Sequence, residues 1–169
     1  MVEVVLLFGS NDAQAADIVN RAVEVVSLTV GEIKRLSGEY VSEAYGFTSE
    51  REFVNRAAVI TTSCDAYEVL RRINFIEALL GRDRDKERRI SAQRNEMYAS
   101  RPIDIDIIFY GDKTFDDQRL TIPYHFLYER EYALRPVAEV AGEWRHAALT
   151  LTPSEALAIL ERRATEISR

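Results

Sequence analysis

Apolar positions along this 169-residue chain alternate between strand and helix spacing. The opening run Val2-Glu3-Val4-Val5-Leu6-Leu7-Phe8 stops at Gly9-Ser10-Asn11, as a buried strand would. Residues 12–27 place Ile18, Ala22 and Val25/Val26 three to four apart, the spacing of an amphipathic helix, with Asn11 or Asp12 as its N-cap. A weaker strand is predicted over 33–41, and a clear one over 53–62, where Phe53, Asn55, Ala57 and Val59 share a side. Asp65 caps a second helix with Val69, Leu70, Ile73, Ile76 and Leu80 inward, ended by Gly81. Asn74 and Glu77 lie on one edge of it, a turn apart. A strand over Ile103–Tyr110 turns at Gly111-Asp112, and a short return strand over 119–123 ends at Pro123. Thr152-Pro153-Ser154-Glu155 is a capping box opening a final helix with Leu157, Leu160, Ala164 and Ile167 on one face.

The predicted order is β-α-β-β-α-β followed by an irregular, partly helical tail. That is the α+β, ferredoxin-like arrangement, an antiparallel-rich sheet with helices on one face. Residues 1–169 read as a single domain with no repeat or linker, and 82–101 as a long functional, mobile loop.

Within Arg101-Pro102-Ile103-Asp104-Ile105-Asp106-Ile107, the strand period of two turns both aspartates to one face and the isoleucines to the other. A carboxylate pair on a rigid strand suits a hard divalent cation such as Mg2+ beside phosphates, although an exposed acidic strand face has the same pattern.

The net charge of -6 argues against general nucleic-acid binding. Residues 82–101 nevertheless carry seven basic side chains against four acidic ones, so an arginine-rich stretch leads into the acidic pair. Arginine forks bind phosphate oxygens bidentately; a solvated charged loop is the plainer reading. The lone Cys64 has no disulfide partner, as expected in a reducing compartment. With no leader-like start and no membrane-length apolar run, a cytoplasmic protein is expected, with neither membrane nor nucleic-acid partner. The oligomeric state stays open, with a monomer favoured. No Gly-Lys-Ser/Thr phosphate loop or G-x-G-x-x-G turn is present, so arginines and a metal must hold any nucleotide.

Five blocks together carry a resemblance: Phe8-Gly9-Ser10-Asn11, Phe53-Val54-Asn55, residues 73–84 (INFIEALLGRDR), 101–110 (RPIDIDIIFY) and 119–136 (RLTIPYHFLYEREYALRP). Over residues 4–157 the chain resembles the 6-hydroxymethyl-7,8-dihydropterin pyrophosphokinases of folate biosynthesis. The resemblance implies a ferredoxin-like fold, ATP and two Mg2+ ions, and transfer of a pyrophosphoryl group to the pterin hydroxymethyl oxygen with release of AMP. It makes Asp104 and Asp106 the metal ligands and Arg82 and Arg101 the catalytic phosphate clamps. Asn74, Glu77, Arg84, Ile107, Arg119, Thr121 and Arg130 match ATP-contacting positions. Phe53 and Tyr132 match the aromatic pair that sandwiches the pterin, with Asn55 at its edge. Ser42, Glu43 and Tyr45 match a loop adding further pterin contacts.

The chain departs from the family pattern in three places, one of them the 82–101 loop, which lacks the tryptophan some members carry. The loop at Ser42–Tyr45 lacks the usual proline, and Tyr124-His125 stands where the family places histidine first. Either Tyr124 or His125 is then the ATP contact, because one step along an extended segment reverses the side chain. The alternative to an active enzyme is a diverged pterin- or nucleotide-binding module of the same fold.

Overall fold

A computed structural model describes residues 1–43, 51–94 and 101–168 of the chain. Its main sheet has the order β2-β4-β1-β5, from Val2–Ser10 (β1), Glu32–Leu36 (β2), Phe53–Thr62 (β4) and Asp104–Tyr110 (β5), with Tyr40–Ser42 (β3) also paired to β4. Every pairing is antiparallel, which is the ferredoxin-like topology expected. The predicted strand over 33–41 is β2 and β3, interrupted at Ser37, whose backbone N–H donates to the Ala57 carbonyl while its hydroxyl accepts from Ala57 N. A small hairpin joins Phe115–Asp116 (β6) to Thr121–Ile122 (β7).

Helices cover both faces of the sheet, not one. Ala15–Thr29 (α1) and Ala66–Leu79 (α2) bury Val19, Val26, Val69, Ile73 and Ile76 against Val4, Leu6, Phe8, Ala58 and Ile60. On the opposite face, Glu131–Ala141 (α4), backed by Pro153–Ile167 (α5), buries Ala133, Leu134 and Val137 against Val5, Leu7, Ala57 and Val59. A central strand buried on both sides reads as an unbroken apolar run, which is why Val4–Phe8 show no alternation. The tail expected to be irregular and partly helical thus contains, besides the final helix expected after Thr152, the helix α4 that packs on this face. Pro136 inside α4 forgoes one backbone hydrogen bond, and the buried face of the helix offsets that loss. Arg35 Nε donates to the Val140 carbonyl at 2.7 Å, and Glu139 accepts from Gly38 N and the Tyr40 hydroxyl, fastening α4 to β2 and β3.

Two local expectations give way to tertiary contacts. Helix α1 starts at Ala15, with Gln14 as N-cap; Asp12 instead accepts from Gln14 N in a tight turn, and Asn11 is used elsewhere. The stretch expected to be a loop contains the helix Arg84–Arg94 (α3), no residue of which is buried; residues 95–100 lie outside those described. Asp65 caps α2 as expected, its side chain accepting from Glu68 N, and Thr152 and Glu155 complete the capping box of α5. No helix among the described residues is long and apolar enough to cross a membrane.

Candidate active site

A cleft of about 400 Å³ opens on the sheet face that α4 covers, floored by Leu7, Gly9 and Asn55 of the sheet and bordered by Arg130 and Tyr132 at the start of that helix. Three adjacent strands contribute to that floor in register: Asp104 of β5 lies opposite Gly9 of β1, which lies opposite Asn55 of β4. Gly9 is required by this packing, since a Cβ there would come within 2.8 Å of Asn55 Oδ1. The Asn55 amide is buried and donates to Ser42 Oγ at 2.9 Å. Gly9→Ala is therefore expected to push the amide off Ser42 and cost about 1 kcal/mol, the net worth of one hydrogen bond, measurable by urea unfolding.

The strand period holds through the acidic pair. Ile103, Ile105 and Ile107 enter the core beneath α1 and α2, while Asp104 and Asp106 face the cleft. A bulge between β1 and β5, at Val5/Leu6, then sends both Ile108 and Phe109 into the other core. Burial pushes the Asp106 carboxyl well above its usual range, and the Asp104 charge adds to the push. Asp104 is raised by burial too, but Arg101 and Arg82 outweigh that and leave it lowered. The pair thus offers hard carboxylate oxygens together with a repulsion that a divalent cation would relieve, a donor set that fits such an ion.

Arginines surround the pair, each fixed by a different element. Helix α2 ends in a Schellman motif in which Gly81, at φ 101°, lets Gly81 N donate to Ala78 and Arg82 N to Glu77. That turn folds the Arg82 side chain back over Glu77. Arg82 Nη1 bonds Glu77 Oε2 and, at 2.9 Å, Asp104 Oδ1, while its Nε reaches Glu87 Oε1 at 3.0 Å. Burial works against the Arg82 charge, but Asp104, Glu77 and Glu87 prevail and hold its proton more firmly than usual. Arg101 lies 3.6 Å from Asp104, and its backbone N–H donates to Asn11 Oδ1 at 3.1 Å. Asn11, first read as a cap, positions a site arginine from ninety residues away, a contact no local sequence signal announces. The Arg119 guanidinium stacks over the Tyr67 ring at 5.0 Å, and Tyr67 donates to Asp117.

The aromatic side of the cleft comes from the segment after Pro123. Tyr124 N donates to the Ile108 carbonyl at 3.0 Å, laying this segment along β5, and Arg130 caps α4. The Arg130 guanidinium lies 3.7 Å over the Phe126 ring and donates to the Tyr132 hydroxyl at 3.2 Å. Phe126, unmarked by the sequence reading, is thus a platform for a cleft arginine. Burial raises the Tyr124 and Tyr132 hydroxyls, so both keep their protons near neutral pH while accepting from Arg130.

The structure gathers nearly all the sequence-derived candidates on this one cleft. Arg82, Arg84, Arg101, Arg119, Arg130, Asn74, Ile107, Thr121, Asp104 and Asp106 line it, as do Ser42, Glu43, Phe53, Asn55 and Tyr132. Tyr124 and His125 both reach it, so the one-place shift removes neither from the wall. Ile107 also belongs to the core beneath α1 and α2. Glu77 is the exception: it is 1% exposed and lies under the wall, bonding Arg82, Arg84 and the backbone N–H of Ile105. Tyr45 falls outside the described residues.

The sequence profile of the 7,8-dihydro-6-hydroxymethylpterin-pyrophosphokinases matches residues 5–142. The chain belongs to that family. The span matched to these pyrophosphokinases contains every cleft residue named above and excludes α5. A Methylorubrum extorquens protein named 2-amino-4-hydroxy-6-hydroxymethyldihydropteridine pyrophosphokinase is 34% identical over 144 residues, covering 85% of each chain. A Synechocystis protein of the same name is 31% identical over 137 residues, 80% of this chain and 65% of that one. Among solved structures, wild-type Plasmodium falciparum HPPK-DHPS with SDX-DHP superposes with a TM-score of 0.76 at 15% identity, covering 98% of this chain and 45% of that one. At that identity the likeness shows the shared fold, and this chain spans less than half of the larger protein.

Proposed function

We propose that this chain transfers a pyrophosphoryl group from ATP to 6-hydroxymethyl-7,8-dihydropterin in folate biosynthesis. The observation that carries the reading is that one cleft brings together an acidic pair, five arginines, several aromatic rings and a buried amide. Phosphoryl-type transfer asks little covalent chemistry of the protein, and mainly needs positioning and fixed charge. The pterin hydroxymethyl oxygen attacks the β-phosphorus, the bond between that phosphorus and the α–β bridging oxygen breaks, AMP leaves with the bridging oxygen, and the hydroxyl proton is released. Arg82, Arg101, Arg119 and Arg130 hold phosphate oxygens while charge shifts among them, so their contacts strengthen toward the transition state. Asp104 and Asp106 would hold two Mg2+ ions, which supply charge neutralisation on the triphosphate. Phe53 and Tyr132 take the flat ring by stacking, and the Asn55 amide orients its polar edge.

The reading is tested by AMP release from ATP and Mg2+, with and without the pterin, using chromatography that also resolves ADP. Pterin-dependent AMP with pyrophosphorylated pterin is expected. ADP would make the chain an ordinary kinase, and neither product despite pterin binding would make it a binding module. In the same assay Asn55→Ala is expected to raise the KM for pterin about tenfold and leave the KM for ATP near wild type, because the lost hydrogen bonds touch one substrate.

A further inference from the structure

The two edges of the Arg82 guanidinium are held by different parts of the fold. On the inner side, Nη1 donates to Glu77 and Asp104. Glu77 is itself fastened there, by Ile105 N at 3.1 Å and Arg84 Nη2 at 2.9 Å. The outer edge, Nε and Nη2, is taken by Glu87 Oε1 and Oε2 at 3.0 and 3.3 Å. This is the fork through which arginine receives two oxygens of a carboxylate or of a phosphate. Glu87 belongs to α3, which buries none of its residues, and its side chain is 15% exposed where that of Glu77 is 2%. A helix without a buried face is held by its polar contacts and opens at low cost. Among the described residues, Arg82 has three carboxylate partners; Asp104, 24% exposed, is fixed on a strand of the sheet and Glu77 is buried, so Glu87 is the one carried by an element without a buried face.

We propose that Glu87 is an internal stand-in for phosphate, which occupies the outer fork of Arg82 until nucleotide polyphosphate oxygens displace it. The proposal rests on the pyrophosphoryl-transfer reading and adds a positioning residue to it. Glu77 and Asp104 keep the guanidinium aimed throughout, so the incoming phosphate meets an oriented fork. Departure of Glu87 leaves no unpaired buried charge, because Arg82 retains its inner partners. The cost of displacement appears as weakened nucleotide affinity, since the competent state is only part of the population.

Glu87→Gln keeps the side chain's shape and removes its charge, in a helix that contributes nothing to the core. Mg2+-ATP and its α,β-methylene analogue are titrated calorimetrically against wild type and variant, and KM and kcat for AMP formation are measured alongside. The expected result is about a fivefold lower Kd and KM for nucleotide with kcat retained, the scale of one partly buried charged pair. Asp85→Asn, which removes an equal charge from a carboxylate bonded to Arg88 on the same helix, is the control and is expected to change Kd by less than about half as much. An unchanged Kd for Glu87→Gln, or a shift no larger than that of Asp85→Asn, overturns the proposal. So does a lower kcat at constant Kd, which would make Glu87 a support for the working pose of Arg82. Wild type that binds ATP but forms no pterin-dependent AMP sinks the transfer reading alone, and the Kd comparison still decides the role of Glu87. Wild type that binds no ATP sinks both.

Discussion

Asp106→Asn is expected to reduce pyrophosphoryl transfer on the order of a thousandfold, by removing one of the two carboxylate charges proposed to hold Mg2+, and to leave the protein at least as stable as wild type. The stability half follows from electrostatics in the free protein. Burial drives the Asp106 carboxyl up, with Asp104 and Glu77 adding to it against the pull of Arg101 and Arg82. A carboxyl raised on folding binds its proton more tightly in the folded state. Its contribution is fully present below the unfolded pKa and is lost as pH rises through the folded one. In metal-free buffer the Tm of wild type therefore falls relative to Asp106→Asn as pH rises from acid toward neutral, and the gap closes in acid. Added Mg2+ raises the wild-type Tm at neutral pH more than that of the variant. Thermal melts across pH, with and without Mg2+, check the sign, and a variant with wild-type turnover would remove Asp106 from the metal assignment.

Glu77→Ala is expected to have the largest effect on stability, about 3–5 kcal/mol, the usual cost of removing one partner from a buried ion pair. Its carboxylate holds Arg82, whose side chain is 4% exposed, together with Arg84 and the Ile105 N–H between the two aspartates. Burial pushes the Glu77 carboxyl up and Arg82 partly offsets that, so the group and its partners stand or fall together. Loss on this scale is a large fraction of a domain's total stability of roughly 5–15 kcal/mol. Denaturant unfolding should show a lower midpoint with an unchanged m-value. Glu77→Gln keeps an acceptor for Ile105 N and should lose less. The family resemblance makes Glu77 an ATP contact; its burial beneath the wall makes it an anchor for two arginines and a strand. A cost for Glu77→Ala below about 1 kcal/mol, an ordinary surface value, would return it to the first role.

Strands β1, β4 and β5 and helices α1 and α2 were legible because their buried residues recur at strand or helix spacing, whereas α5 was announced by its capping box and packs only its first turns, leaving Ala164 and Ile167 of the expected apolar face exposed. Helix α3 was not legible, because it buries nothing: Ile90 is the main apolar side chain in an arginine-rich stretch, so no period exists to read. Helix α4 was hidden by Pro136, a breaker whose loss of one hydrogen bond is outweighed by apolar contacts with a sheet face assembled from distant strands. Helices on both faces could have been inferred from the unbroken run at Val4–Phe8, since a strand with one wet face alternates.

For the site, the sequence by itself determined that Asp104 and Asp106 project together and that Ile103, Ile105 and Ile107, which alternate with them, face the core, because a strand's period is local geometry. The family motifs supplied the remaining candidates, and nearly all of these converge on one cleft. Only the tertiary structure decided which groups meet: Arg82 with Glu77, Glu87 and Asp104, the Arg101 backbone N–H with the Asn11 amide oxygen, and the Arg130 guanidinium over Phe126. Ion pairs and stacked planes depend on distance and burial between elements, which chain spacing does not encode. Chain spacing therefore offers Asn11 as a helix cap while the fold uses it to hold Arg101, and it is silent on the burial of Glu77 among Arg82, Arg84 and the Ile105 N–H.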